Sequence, residues 1–147
     1  MLLLFSYPVS ASIQSIRVRG KLLCGQEPLI GAEVNLWLLR TPSRPDKEVA
    51  TMESDDDGFF QMTYHQSDES LSSTQPAVRI YHRCNILGIF KISRRCLRES
   101  THNIPTSYIL NYGMVDHWYE MGSLNLESKQ PFEQMYCPAN SMRPIGD

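Results

Sequence analysis

Four cysteines, Cys24, Cys84, Cys96 and Cys137, set into a chain patterned as short strands, constrain this sequence more than any other feature. An even count without a C-x-x-C pair points to two disulfides and away from a metal site or a redox motif. Disulfides persist in oxidising compartments, so the expected location is secreted and extracellular. With 147 residues the chain has enough length for one core and too little for two.

The N-terminus fits that location. Leu2 to Phe5 form a short apolar run, and Val9, Ser10, Ala11 and Ser12 are small residues suited to signal-peptidase cleavage. Residues 1–12 are therefore read as a signal peptide, short or truncated, residues 13–137 as the folded domain and residues 138–147 as a flexible tail. No later window approaches the roughly 18 apolar residues of a membrane-spanning helix. A formal net charge of -2 gives no overall field to attract nucleic acid.

The hydrophobic pattern has a period of two. Ile16, Val18 and Leu22 alternate with Arg17, Arg19 and Lys21, the signature of a strand with one buried face. Ala32, Val34, Leu36 and Leu38 repeat the pattern, and residues 41–47, with Pro42 and Pro45, read as a loop. The run Ser54-Asp55-Asp56-Asp57-Gly58 is a turn leading into a strand from Phe59 to Tyr64. After the polar loop 66–75 come a strand from Ala77 to Cys84 and an extended stretch from Ile89 towards Ile104. A short helix is expected over Thr106–Tyr112, and a closing strand over His117–Leu126. Short strands with polar turns between them give an all-β sandwich of about seven to eight strands.

Five blocks carry a family resemblance. Arg19-Gly20-Lys21-Leu22-Leu23-Cys24-Gly25, with Pro28 and Gly31-Ala32-Glu33-Val34-Asn35-Leu36, resembles the opening of the nematode transthyretin-like family. Asp55-Asp56-Asp57-Gly58-Phe59-Phe60, Arg79-Ile80-Tyr81-His82-Arg83-Cys84-Asn85, Ile104-Pro105-Thr106-Ser107-Tyr108-Ile109 and Gly122-Ser123-Leu124-Asn125-Leu126-Glu127 resemble its later landmarks, in family order. The resemblance implies a secreted, prealbumin-like sandwich with two disulfides. It does not carry over hormone transport. The related hydroxyisourate hydrolases end in a Tyr-Arg-Gly-Ser signature, which is lacking in the ending Met135-Tyr136-Cys137-Pro138-Ala139-Asn140.

Four cysteines allow three pairings. Cys84 with Cys96 is favoured, because twelve residues fit a bridge between neighbouring strands, and Cys24 with Cys137 would then tie the first strand to the tail. Metal binding is not expected. His65, His82, His102 and His117 lack ligand spacing, His82 reads as an inward core histidine, and the acidic turn lacks the spacing of a calcium loop. Trp37 and Trp118 read as core or sheet-packing residues.

The functional lead is a basic stretch. Arg79, Arg83, Lys91, Arg94, Arg95 and Arg98 gather in a window without any acidic residue, with Tyr81 and Phe90 among them. Such a strand surface suits an anionic lipid or an acidic receptor. The sequence thus reads as a secreted binding or bridging protein recognising a cell-surface receptor or anionic lipid, with a carrier of a small apolar ligand as the alternative. It shows no nucleophile–base pair, so it is not read as an enzyme, and no cofactor is expected. A monomer is favoured, with a small homo-oligomer as the other state.

Overall fold

The computed structural model describes residues 13–40, 43–66, 70–89, 96–111 and 117–138. The proposed signal peptide and nearly all of the proposed tail lie outside the described residues. The strands are β1 (Gln14–Cys24), β2 (Glu27–Pro28), β3 (Glu33–Leu39), β4 (Lys47–Glu53), β5 (Phe59–Gln66), β6 (Gln75–His82), β7 (Leu97–Asn103), β8 (Leu110–Asn111), β9 (Tyr119–Asn125) and β10 (Gln134–Tyr136). A single helical turn, α1 (Ile86–Ile89), follows β6.

Two sheets result. In the first, β1 is central: β5 and β2 pair along one edge, antiparallel, while β8 and β9 pair along the other. The β1–β9 pair is parallel. The second sheet runs β10-β7-β6-β3-β4, antiparallel throughout. The alternating pattern explains this arrangement directly. Ile16, Val18 and Leu22 of β1, with Phe60 and Met62 of β5, meet Val34, Leu36 and Leu38 of β3 and Val78 and Ile80 of β6. Burying each such side chain contributes roughly 1.5–3 kcal/mol, and these side chains fill the space between the sheets. This is the all-β, transthyretin-like sandwich expected from the sequence.

Several local expectations need correction. β4 begins at Lys47, the last residue of the expected loop, and runs to Glu53 as an edge strand paired with β3, with its Val49, Ala50 and Met52 packed against the core. The expected helix over Thr106–Tyr112 is only a 3₁₀ turn, Thr106–Tyr108, followed at once by β8. The expected extended stretch from Ile89 begins at the last residue of α1, its residues 90–95 lie outside the described residues, and the rest is β7.

The closing strand does not keep one parity along its length. Arg19 pairs with Glu120 but Lys21 pairs with Ser123, so β9 carries one residue more than β1. That β-bulge coincides with Gly122 at φ 72, and it reverses which side faces in. Leu124 and Tyr119 therefore pack on the core while Glu120 faces solvent.

The disulfides join Cys24 to Cys84 and Cys96 to Cys137, which overturns the favoured pairing. The register makes the error intelligible. His82 lies opposite Arg98, so continuing the ladder by two residues would place Cys84 opposite Cys96. The ladder stops at His82, however. The chain turns through Cys84 and Asn85, the latter at φ 50, and carries Cys84 across to the end of β1. Cys24–Cys84 thereby ties one sheet to the other. Cys96 continues the β7–β10 ladder, in which Leu97 opposes Tyr136, and so meets Cys137 with a Cα–Cα distance of 4.2 Å.

Candidate functional site

The basic stretch does not form one surface. Arg98 is 0% exposed, because its place in β7 shares the inward parity of Ser100 and of its partner His82. Arg79 faces outward but sits over Trp37, its guanidinium 4.5 Å from the ring centroid, with Asp46 at 3.8 Å. Arg83 is half-buried beyond the end of β6. Lys91, Arg94 and Arg95 lie outside the described residues.

Arg98 instead builds the interior. Its Nη1 donates to the carbonyls of Cys84 and Leu126. Nη2 donates to the Ser128 carbonyl at 2.9 Å and to Glu133 Oε1 at 2.6 Å, while Nε donates to Glu133 Oε2 at 3.2 Å. All five N–H donors of the guanidinium are thus used, and Glu133 is held by a two-pronged ion pair. This clamp gathers the turn at Cys84, the chain after β9 and the approach to β10.

His82 adjoins the clamp. It is 3% exposed, as an inward core histidine should be, and its Nδ1 accepts the N–H of Cys84 at 3.1 Å. The proton of the neutral ring therefore sits on Nε2, a buried atom without a hydrogen-bond partner. Burial first, and the charge of Arg98 second, lower the pKa of His82 to about 3.

A second cationic surface lies on the outer face of β1. The outward positions of β1 place Arg17, Arg19 and Lys21 in a row, and aromatic rings adjoin all three. The Arg17 and Arg19 guanidinium groups lie 5.9 and 4.9 Å from the centroid of Trp118, and the Lys21 ammonium lies 5.1 Å from that of Phe59. These fall within cation–π range. Phe59 is 49% exposed. Arg19 also donates to Glu120 on β9, and that hydrogen bond raises its pKa further. A cavity of about 710 Å³ opens here, lined by Arg19, Lys21, Phe59, Gln61, Glu120 and Ser123 among others. The signal lay in the alternation itself: a strand whose apolar side is buried must present its three cations together on the other side.

The remaining candidates resolve as structural. The acidic turn is closed by its own residues, with Asp55 Oδ1 accepting from the N–H groups of Asp57 and Phe59 and Gly58 at φ 81. Among the described residues no group of three His, Cys, Asp or Glu side chains could hold a metal ion. Trp37 and Trp118 lie on outer sheet faces beneath cations, which matches sheet packing and excludes a core position. No helix among the described residues is long and apolar enough to cross a membrane.

Comparison with known proteins places the fold. The chain is 32% identical over 132 residues to transthyretin-like protein 5 of Caenorhabditis elegans, covering 90% of each chain. It is 30% identical over 124 residues to transthyretin-like protein 33 of the same organism, covering 84% of this chain and 82% of that one. Transthyretin-like protein 46 is 30% identical over 115 residues, covering 78% of this chain and 61% of its own length. The sequence model described as transthyretin-like family matches residues 19–105, which include the second half of β1, the acidic turn, and the Tyr81-His82-Arg83-Cys84 segment at the end of β6. With its two-sheet sandwich and paired cysteines, the chain belongs to the transthyretin-like family.

Proposed function

We propose that this protein is a secreted, extracellular binding module that docks on an anionic cell surface through the outer face of β1. The observation that carries this reading is the row Arg17, Arg19 and Lys21, interleaved with Trp118 and Phe59. Cations held beside half-exposed aromatic rings suit an anionic lipid interface, where the rings sit at headgroup depth and each cation contributes about 1 kcal/mol. The disulfides and the family favour an oxidising, extracellular setting. The binding reading is non-catalytic. A bridging role would draw on a second face, for which the residues around Arg79 and Arg83 are the remaining part of the basic stretch. The carrier alternative has less support, since the space between the sheets is occupied by Leu36, Phe60, Ile80 and their neighbours.

The test is co-sedimentation of the disulfide-bonded protein with vesicles containing 30% phosphatidylserine, in low salt and with neutral vesicles as the control. Binding that is lost in Arg17→Glu/Arg19→Glu/Lys21→Glu supports the reading. Absence of wild-type binding to the vesicles, with retained binding to protease-sensitive sites on cells, would replace the lipid with an acidic receptor. Unchanged binding by the triple variant would reject the face.

A further inference from the structure

On the opposite sheet, a second cavity of about 700 Å³ lies between the β2–β3 connection, the end of β6 and α1. Its walls are Leu29, Ile30, Ile86, Leu87 and Leu97, with the ring of Tyr81, and Ile30 and Leu87 are 59% and 66% exposed at its rim. Two carboxylates also line it, those of Glu33 on β3 and Glu53 on β4.

These two glutamates are directly opposite in the β3–β4 register. Facing residues of an antiparallel pair hold their Cβ atoms roughly 4.5–5.5 Å apart, and like charges in that position destabilise the sheet. Both are exposed, and neither takes part in the ion pairs Arg19–Glu120, Arg79–Asp46 and Arg98–Glu133. Arg83 lines the cavity as well, which leaves the wall with a net charge of one negative unit. His82 also lines the cavity. Local destabilisation kept at the mouth of a cavity is characteristic of a site that awaits a ligand.

Tyr81 completes the chemistry. It is the register partner of Glu33 on the other side, and its hydroxyl is engaged by Glu99. Burial, together with Glu99, raises its pKa, so the ring remains a neutral phenol with an electron-rich face. An ammonium group placed between Glu33 and Glu53 would neutralise their repulsion beside this ring, while an apolar body would cover Ile30 and Leu87.

From this juxtaposition we infer that the cavity is a binding site for small organic ammonium compounds with an apolar skeleton, held by Glu33, Glu53 and Tyr81. The site is separate from the β1 face, so it stands or falls independently of the surface-docking reading.

The experiment is calorimetric titration of the full disulfide-bonded protein with 2-phenylethylammonium and, in parallel, with its carboxylate counterpart 3-phenylpropionate. The ammonium should bind saturably and at least tenfold more tightly than the carboxylate. Glu33→Gln/Glu53→Gln should weaken it at least tenfold while raising the Tm of the ligand-free protein by about 1–3 °C, because the repulsion is removed. Arg17→Glu/Arg19→Glu/Lys21→Glu should bind the ammonium as wild type does. Should the double glutamine variant fail to fold, Leu87→Ser, altered at an exposed position, should weaken binding at least threefold. Equal binding of the carboxylate, no binding of the ammonium at millimolar concentration, or unchanged affinity in these cavity variants overturns the inference.

Discussion

Arg98 and Glu133 meet through two parallel hydrogen bonds, with both side chains sealed from solvent. A buried ion pair of this kind is weak evidence of net stabilisation, since desolvating both charges offsets much of their attraction. The carbonyls of Cys84, Leu126 and Ser128 change the balance here, because they satisfy the donors that Glu133 leaves over. The clamp thereby fixes three chain segments that no single ladder joins.

Removing one partner should be far more damaging than the pair's net worth, because the other charge is left buried. Glu133→Gln should lower the unfolding free energy by about 3 kcal/mol or more. Urea unfolding followed by tryptophan fluorescence measures this. Arg98→Lys should fail to rescue, as a single ammonium cannot reproduce five forked donors. A loss below 1 kcal/mol in either variant would show that the interior relaxes around the charge.

Peptide mapping of the non-reduced protein should recover Cys24 linked to Cys84 and Cys96 linked to Cys137. The bridges close loops with separations of 60 and 41 residues. Chain-entropy arguments then give each a stabilisation of about 4 kcal/mol. Cys24→Ser/Cys84→Ser should lower stability by that order, and recovery of a Cys84–Cys96 peptide from the wild type would contradict the fold at the end of β6.

How much of this was legible follows from the range of each signal. The strands β1, β3 and β6 were visible because alternation is local: each second residue reports its own burial. The cysteine pairing was not, because the register that opposes His82 to Arg98 points as well to Cys84 with Cys96. Only the left-handed turn at Asn85 takes Cys84 away, and nothing in the residue type demands it. Arg98 read as surface because it sits in a run of cations, and its partner Glu133 is 35 residues distant. Counting charges in a window favoured residues 79–98 over Arg17, Arg19 and Lys21. Yet the strand period had already put those three on one face, and the missing information was Trp118, brought alongside by the parallel β1–β9 pair.

Stability should fall with acid in a window set by His82. Its pKa is about 3 in the fold, against an ordinary value near 6.5. Below pH 6.5 the unfolded chain therefore binds a proton that the folded chain refuses, and folding is progressively disfavoured until pH 3. Above pH 6.5 the residue contributes no slope. The slope is at most about 1.4 kcal/mol per pH unit for one proton. Burial lowers the pKa of His102 too, which adds in the same direction. His82→Asn keeps an acceptor for the Cys84 N–H and removes the titration. Unfolding curves between pH 7 and 4 should be flatter for this variant than for wild type, and identical slopes would remove His82 from the account.

Glu120 restrains the cationic face, since it holds Arg19 in an ion pair. Both side chains are largely solvent-exposed, so the pair adds little to folding. Glu120→Gln should accordingly leave the Tm within about 2 °C of wild type. Its effect on binding should be larger. Removing one negative charge frees Arg19 for headgroups, and each cation near an anionic membrane contributes about 1 kcal/mol, which is roughly a fivefold gain in vesicle affinity. The gain should shrink as salt rises from 20 to 500 mM, because the Debye length contracts below the spacing between the face and the lipid charges. Trp118 reports the event directly: its ring lies against both arginines, so vesicle contact should shift its emission to the blue. Weaker binding by Glu120→Gln, or an affinity gain insensitive to salt, would show that Arg17, Arg19 and Lys21 do not act on the partner through charge.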